Sequence, residues 1–219
     1  MKTLLLLAIL LVSFTFASAQ HEYAPLLEKE VNYKDWTYKS IRDGKEMNLR
    51  EMTAGKKLVL VIYFAPWCPN WKLQAPVAQA FYEKYKDKGL EIIAIGEYDP
   101  VASMKASLET YKITFPAVYE AEERTAKQTT AHYGYRKSTG DTRNWGSPWS
   151  IFIEPAKLEK KGDVLMKKAT IVNGELMEAE SEAFIREKLG LPKDEKKMET
   201  ASSKTAEVCE PTLNLKKPF

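Results

Sequence analysis

The stretch Leu58–Pro76, LVLVIYFAPWCPNWKLQAP, decides how the chain is read. Leu58 to Phe64 is an unbroken apolar run, rich in β-branched and aromatic side chains and too short for a membrane span. Such a run predicts a strand buried on both faces. Ala65-Pro66 ends it, and helical spacing begins just after. Between strand and helix stands Trp67-Cys68-Pro69-Asn70-Trp71. A cysteine at a helix N-terminus meets unpaired N–H groups and the positive end of the helix dipole, surroundings that favour thiolate chemistry. The sequence thus offers one reactive sulfur at the carboxyl end of a central strand.

Phe64 to Trp71, FAPWCPNW, resembles the active-site segment of thioredoxins, especially the TlpA-like and redoxin-type branch, which usually reads F-W-A-x-W-C-x-x-C. The strand, the tryptophan and the first cysteine match. The second cysteine does not, because Trp71 stands in its place, so Cys68 cannot close a disulfide within its own motif. Further segments match in register. Gly55-Lys56-Lys57 precedes the strand, Pro76 lies inside the helix, and Ile113 to Val118 resembles the family's l-x-f-P-v-l segment. Gly146 to Ile153, GSPWSIFI, resembles G-T-P-T-T-F-L-I, whose proline is cis and faces the cysteine. The resemblance covers Trp36 to Leu191. It implies an α/β thioredoxin fold, a central mixed sheet with helices on both faces. It also implies that Ser147 and Pro148 sit opposite Cys68. A cis proline exposes the preceding backbone to an extended substrate peptide. The expected substrate groove is Trp67, Pro69, Asn70, Trp71, Ser147, Pro148 and Trp149, with Cys68 as the reacting group.

Outward from this centre, residues 1–19 read as a secretory signal: Lys2, an apolar Leu4–Leu11 and a small-residue Ala17-Ser18-Ala19 cleavage site. Export follows as an expectation, to the periplasm if the host is bacterial and otherwise by secretion. Residues 20–35 are expected to be an irregular arm. A hairpin is expected around Asp43-Gly44. The first helix is expected from Cys68 to Lys88, with Leu73, Val77, Ala80, Phe81 and Tyr85 toward the sheet. The next strand is Leu90–Gly96, then a helix over Asp99–Lys112 and a charged helix over Glu120–Tyr135. Arg136 to Trp145, RKSTGDTRNW, is expected to be a solvated loop rather than a lid. Val164–Val172 predicts a strand and Glu180–Leu189 a closing helix. Residues 192–219 lose apolar periodicity and are expected to be a disordered charged tail.

The 33 basic and 30 acidic residues nearly balance, and no basic run is interleaved with aromatics, which argues against a nucleic-acid surface. No further apolar run reaches the length of a membrane span. His21 and His132 have no ligand-spaced partners, so no metal and no cofactor is expected, and His132 reads as a surface or interhelical residue. The two cysteines are Cys68 and Cys209. In an oxidising compartment two cysteines can form one structural disulfide, but the strand-to-helix position of Cys68 favours chemistry.

Cys68 would attack a disulfide and form a mixed disulfide. The expected partners are therefore protein or small-molecule disulfides and thiols, with an unidentified reductant. Release of the substrate needs a second thiol. Cys209 is one candidate, since a flexible chain from Leu191 spans roughly 24 Å, beyond the ~15 Å radius of gyration of such a domain. A small thiol or the substrate's own second thiol are the others. Two alternatives stay open. A peroxiredoxin-like thiol peroxidase fits Cys68-Pro69, although Ala65 replaces the expected Thr or Ser. A non-catalytic binding module fits a groove of Trp67, Trp71 and Trp149 around an inert sulfur.

Overall fold

Leu58–Phe64 forms β5, and all seven of its side chains are buried. A strand apolar on both faces needs cover on both, and the rest of the chain supplies it. The structure, a computed structural model, describes residues 21–192. The proposed signal peptide and charged tail, Cys209 included, lie outside the described residues.

β5 is flanked by β6 (Leu90–Glu97), parallel, and β8 (Trp149–Ile153), antiparallel. Between β5 and β6 runs α2 (Pro69–Tyr85), which makes the expected parallel crossover. The sheet continues through β7 (Ala117–Ala121) to β3 (Thr37–Ser40) and β4 (Glu46–Asn48) on one side. On the other it runs through β9 (Val164–Val172) to β2 (Leu27–Lys34). A separate pair joins β1 (Tyr23–Ala24) to β10 (Glu175–Leu176) in parallel. The predicted hairpin around Asp43-Gly44 is β3–β4. One sheet face packs α2, α3 (Val101–Thr110) and α5 (Glu178–Leu189). The other packs α1 (Leu49–Thr53) and α4 (Ala131–Ser138).

Four expectations change. The arm is not irregular: residues 27–34 form the sheet's edge strand, antiparallel to β9. Its inner positions, Val31 and Tyr33, are buried while the residues between them face water. The inward stripe of α2 is Trp71, Ala75, Ala78, Phe81 and Tyr85, so Leu73 and Val77 are only half-buried and Ala80 is exposed. Trp71 sets this helix phase, because its indole takes the innermost place. Glu120–Tyr135 is not one helix. It begins inside β7, passes a 3-10 turn at Arg124–Thr129, and becomes α4 only at Ala131. Glu120 itself turns inward and accepts the N–H groups of Ala131 and His132, capping α4 from the sheet. The loop over Arg136–Trp145 is packed, as described below.

Glu97 ends β6 fully buried beside Glu120. Burial first, and the Glu120 carboxylate second, hold its pKa well above the ordinary 4.5. The folded chain therefore keeps a proton that the unfolded chain releases above that value. Stability is greatest below it and falls as pH rises toward the folded pKa, by up to about 1.4 kcal/mol per pH unit. Glu97→Gln removes this titration and adds an amide donor toward Glu120. In urea denaturation the variant should gain stability over the native chain from pH 5 to pH 8. Parallel pH profiles for the two proteins would refute the assignment.

Candidate functional site

α2 starts at Pro69, whose fixed φ suits a first helical position and whose missing N–H costs nothing there. Cys68 is therefore the N-cap. Its side chain makes no cap hydrogen bond to the helix N–H groups. It turns instead to the facing loop, where the thiol donates to the Ser147 carbonyl at 3.0 Å. Ser147 in turn accepts the Ala65 N–H on its hydroxyl, at 2.9 Å. The Ser147–Pro148 peptide is cis. Two hydrogen bonds thus join the segment after β5 to the turn that leads into β8, one from the Ala65 N–H and one from the sulfur itself. Cys68 is 7% exposed, so little of it meets solvent.

The turn is held from behind by residues that sequence reasoning left in solvent. Arg136 and Asp141 are fully buried and paired at 3.0 Å, and Arg143 joins the same carboxylate at 2.7 Å. The two guanidiniums hold Asp141 below the usual carboxylate range against the opposing cost of burial. Arg143 also donates to the Pro148 carbonyl at 2.9 Å, and Arg136 to the Arg143 carbonyl. Gly146 has φ +58, and a Cβ there would overlap the Arg136 guanidinium. Only glycine fits, since it supplies both the backbone conformation and the space. RKSTGDTR reads as soluble by composition. The only hint of burial in it is an acidic residue set between two arginines.

His132 is neither at the surface nor a ligand. It is fully buried, stacked on Tyr63 at 4.8 Å, with Nδ1 hydrogen-bonded to the Tyr98 hydroxyl at 2.9 Å. Burial, then Arg136, pushes its pKa well down, so it stays neutral.

The expected groove divides. Trp67 is half-buried and Pro69 exposed beside the sulfur, while Asn70, Ser147 and Pro148 are buried around it. Trp71 leaves the groove: it is fully buried, 4.4 Å from Phe64, and its indole N–H donates to Ser107 of α3 at 3.0 Å. Trp149 also leaves it. It lies on the opposite face of the sheet with Tyr63 and Tyr135, and its N–H is taken by Asn173. The alternation of side chains along a strand accounts for this, since the residue after Pro148 begins β8. Trp145, which was not among the expected residues, meets Trp67 edge to face at 5.2 Å. Arg124 lies over the Trp67 ring at 4.6 Å and Lys127 over the Trp145 ring at 4.5 Å. Among the described residues no group of His, Cys, Asp or Glu is arranged to hold a metal ion.

A thiol at the N-cap of the helix after a central strand, facing the carbonyl before a cis proline, defines a thioredoxin-fold thiol site. The chain belongs to the AhpC/TSA family, whose pattern matches residues 31–156. It is similar to the thiol-disulfide oxidoreductase ResA of Halalkalibacterium halodurans, 28% identical over 78 residues, which are 36% of this chain and 43% of that protein. It is also similar to a protein disulfide-isomerase of Drosophila melanogaster, 36% identical over 95 residues, 42% of this chain and 18% of that one. The match thus spans less than half the length of either relative. Among solved structures, MTB dsbF superposes with a TM-score of 0.52 at 17% identity, over 73% of this chain and 98% of its own. A thioredoxin-family thiol:disulfide interchange protein from Chlorobium tepidum gives 0.51 at 20%, over 79% and 99%. These two likenesses bear on the fold.

Trp71, three residues after Cys68, is thus a core residue. Trp71→Ala should cost about 3–5 kcal/mol, as large-to-small core changes do. Trp71→Phe should cost less, about 1–3 kcal/mol, through the unpaired Ser107 hydroxyl. Urea denaturation measures both, and a loss under ~1 kcal/mol for the alanine variant would show that the indole is not part of the core.

Proposed function

We propose that the chain is an exported thiol–disulfide oxidoreductase that performs its first exchange through Cys68 alone. The observation that supports this best is the pairing of the Cys68 sulfur with the Ser147 carbonyl at the start of α2, while Trp71 fills the fourth position of the motif. The relatives described above, a thiol-disulfide oxidoreductase and a protein disulfide-isomerase, support the same chemistry. In that reaction the Cys68 thiolate attacks one sulfur of a disulfide. A bond forms from Cys68 to that sulfur, and the other leaves as thiolate. With no neighbour at position 71 to complete the exchange, a second thiol must come from Cys209, from a small thiol or from the substrate. Pro69, Asn70, Trp67 and Pro148 border the sulfur and would contact the substrate. The leader-like residues 1–19 support export, with residues 192–219 a charged extension carrying Cys209. No helix among the described residues is long and apolar enough to cross a membrane.

The low exposure of Cys68 favours a second reading, a binding module that kept the fold and lost the dithiol. A peroxidase has less support: Ala65 supplies no hydroxyl, and its N–H is already given to Ser147.

Reduced full-length protein treated with 2-hydroxyethyl disulfide and followed by intact mass separates these readings. The native chain should form a mercaptoethanol adduct that is then lost, Cys209→Ser should accumulate it, and Cys68→Ser should form none at the site. A native chain that forms no adduct, and reduces insulin no faster than free thiol, would leave the binding module standing.

A further inference from the structure

The 3-10 turn at Arg124–Thr129 presents two cations to the site. In such a helix residues three apart lie one above the other, so Arg124 and Lys127 share a face. That face is laid against Trp67 and Trp145, giving a continuous row Arg124–Trp67–Trp145–Lys127 beside Cys68. Trp67 is next to Cys68 in the chain, and Trp145 is two residues from the Ser147 that holds its sulfur. Neither cation is matched by a carboxylate among the described residues. Arg124 is exposed with only the indole beneath it, and Lys127 donates to the Asn144 carbonyl and side-chain oxygen. The nearest acids in sequence are turned elsewhere: Glu122 accepts the Val101 N–H, and Glu123 the Thr125 hydroxyl.

Two half-buried indoles bearing two uncompensated cations make a surface for a cysteine flanked by carboxylates. The chain carries such a segment itself, Glu207-Val208-Cys209-Glu210-Pro211. Its two acids stand three apart, like the two cations, with the cysteine between them. The described residues end just beyond Leu189, whose carbonyl takes the Lys57 ammonium at the start of β5 and so at the opposite end of that strand from Cys68. The 17 residues that follow Pro192 and end at Cys209 measure at most about 58 Å fully extended, longer than the roughly 23 Å of the seven-residue strand between. Resting on the reading of Cys68 as the reacting group, we propose that the Arg124–Trp67–Trp145–Lys127 row is the docking surface of residues 207–211, and that it delivers Cys209 to Cys68 as an acid-tagged resolving thiol. The Cys209 thiolate attacks the Cys68 sulfur of the mixed disulfide. The Cys68–Cys209 bond forms as the bond to the substrate breaks, and the substrate leaves as thiolate. The substrate disulfide has then taken both electrons, and an external dithiol reductant reopens the internal disulfide.

The test uses reduced full-length protein and 2-hydroxyethyl disulfide, which is uncharged, with acid quenching and intact mass at each time. Adduct formation and closure to the internal disulfide are read separately, and closure is expressed relative to adduct formation in each variant. Glu207→Lys with Glu210→Lys, and separately Arg124→Glu with Lys127→Glu, should each slow relative closure about five- to tenfold. The four changes together should bring it back to within about twofold of the native chain. High salt should shrink the differences, because surface pairs are screened. The Glu207/Glu210 variant leaves the residues of the 3-10 turn unchanged, so its result does not depend on how the Arg124/Lys127 variant folds. Closure within about twofold of native in both reversals, or no recovery when they are combined, would overturn the docking surface while leaving Cys68 as the reacting group. A native chain that forms no adduct would overturn both.

Discussion

The complete burial of β5 is the constraint on which the rest of the structure depends. A strand with no solvent face must be covered twice, and its backbone must be paired on both edges. β6 and β8 provide the pairing, and two separate apolar layers provide the cover. The site follows from the same arrangement. Where the strand ends the chain has to leave the core, and it does so at Cys68 directly opposite the turn that begins β8. The contact between sulfur and Ser147 carbonyl is the meeting of these two chain ends, tied by one further hydrogen bond from Ala65.

Much of this was legible in the residues. The apolar run, the Trp-Cys-Pro that follows, the helix with Pro76 and the Ser147-Pro148 pair fixed the fold and the two sides of the site. What escaped were features that depend on tertiary placement. The Leu27–Lys34 strand alternates charged and apolar residues and reads as a polar arm until β9 is there to pair with it. Leu73 and Val77 are as apolar as Ala75 and Ala78, and only the demand of Trp71 for the core decides which set faces inward. Trp67, Trp71 and Trp149 were expected to share one groove, yet Trp71 and Trp149 are core residues on opposite faces of the sheet. The loop over 136–145 looked solvated because its composition is polar. Burial there rests on three charges satisfying one another, which composition cannot reveal.

That triad, buried at Arg136 and Asp141 and half-buried at Arg143, is costly in isolation and is tolerated because every charge has a partner at short range. Its position explains what it contributes. It spans α4, the loop and the Pro148 carbonyl, and Arg143 reaches on to Glu22 in the N-terminal segment. The facing turn is therefore braced by polar contacts, while the helix carrying Cys68 is braced by Trp71 and apolar packing. The two halves of the site rest on different physics, and salt or acid should act unequally on them.

The aromatic row beside the sulfur has an optical consequence. Of the five tryptophans, Trp36, Trp71 and Trp149 are buried, while Trp67 and Trp145 are half-buried. A soluble quencher such as acrylamide therefore reaches emission mainly from the pair flanking the sulfur. Quenchable fluorescence in this chain is a built-in reporter of whether that corner is open or occupied, with no label attached.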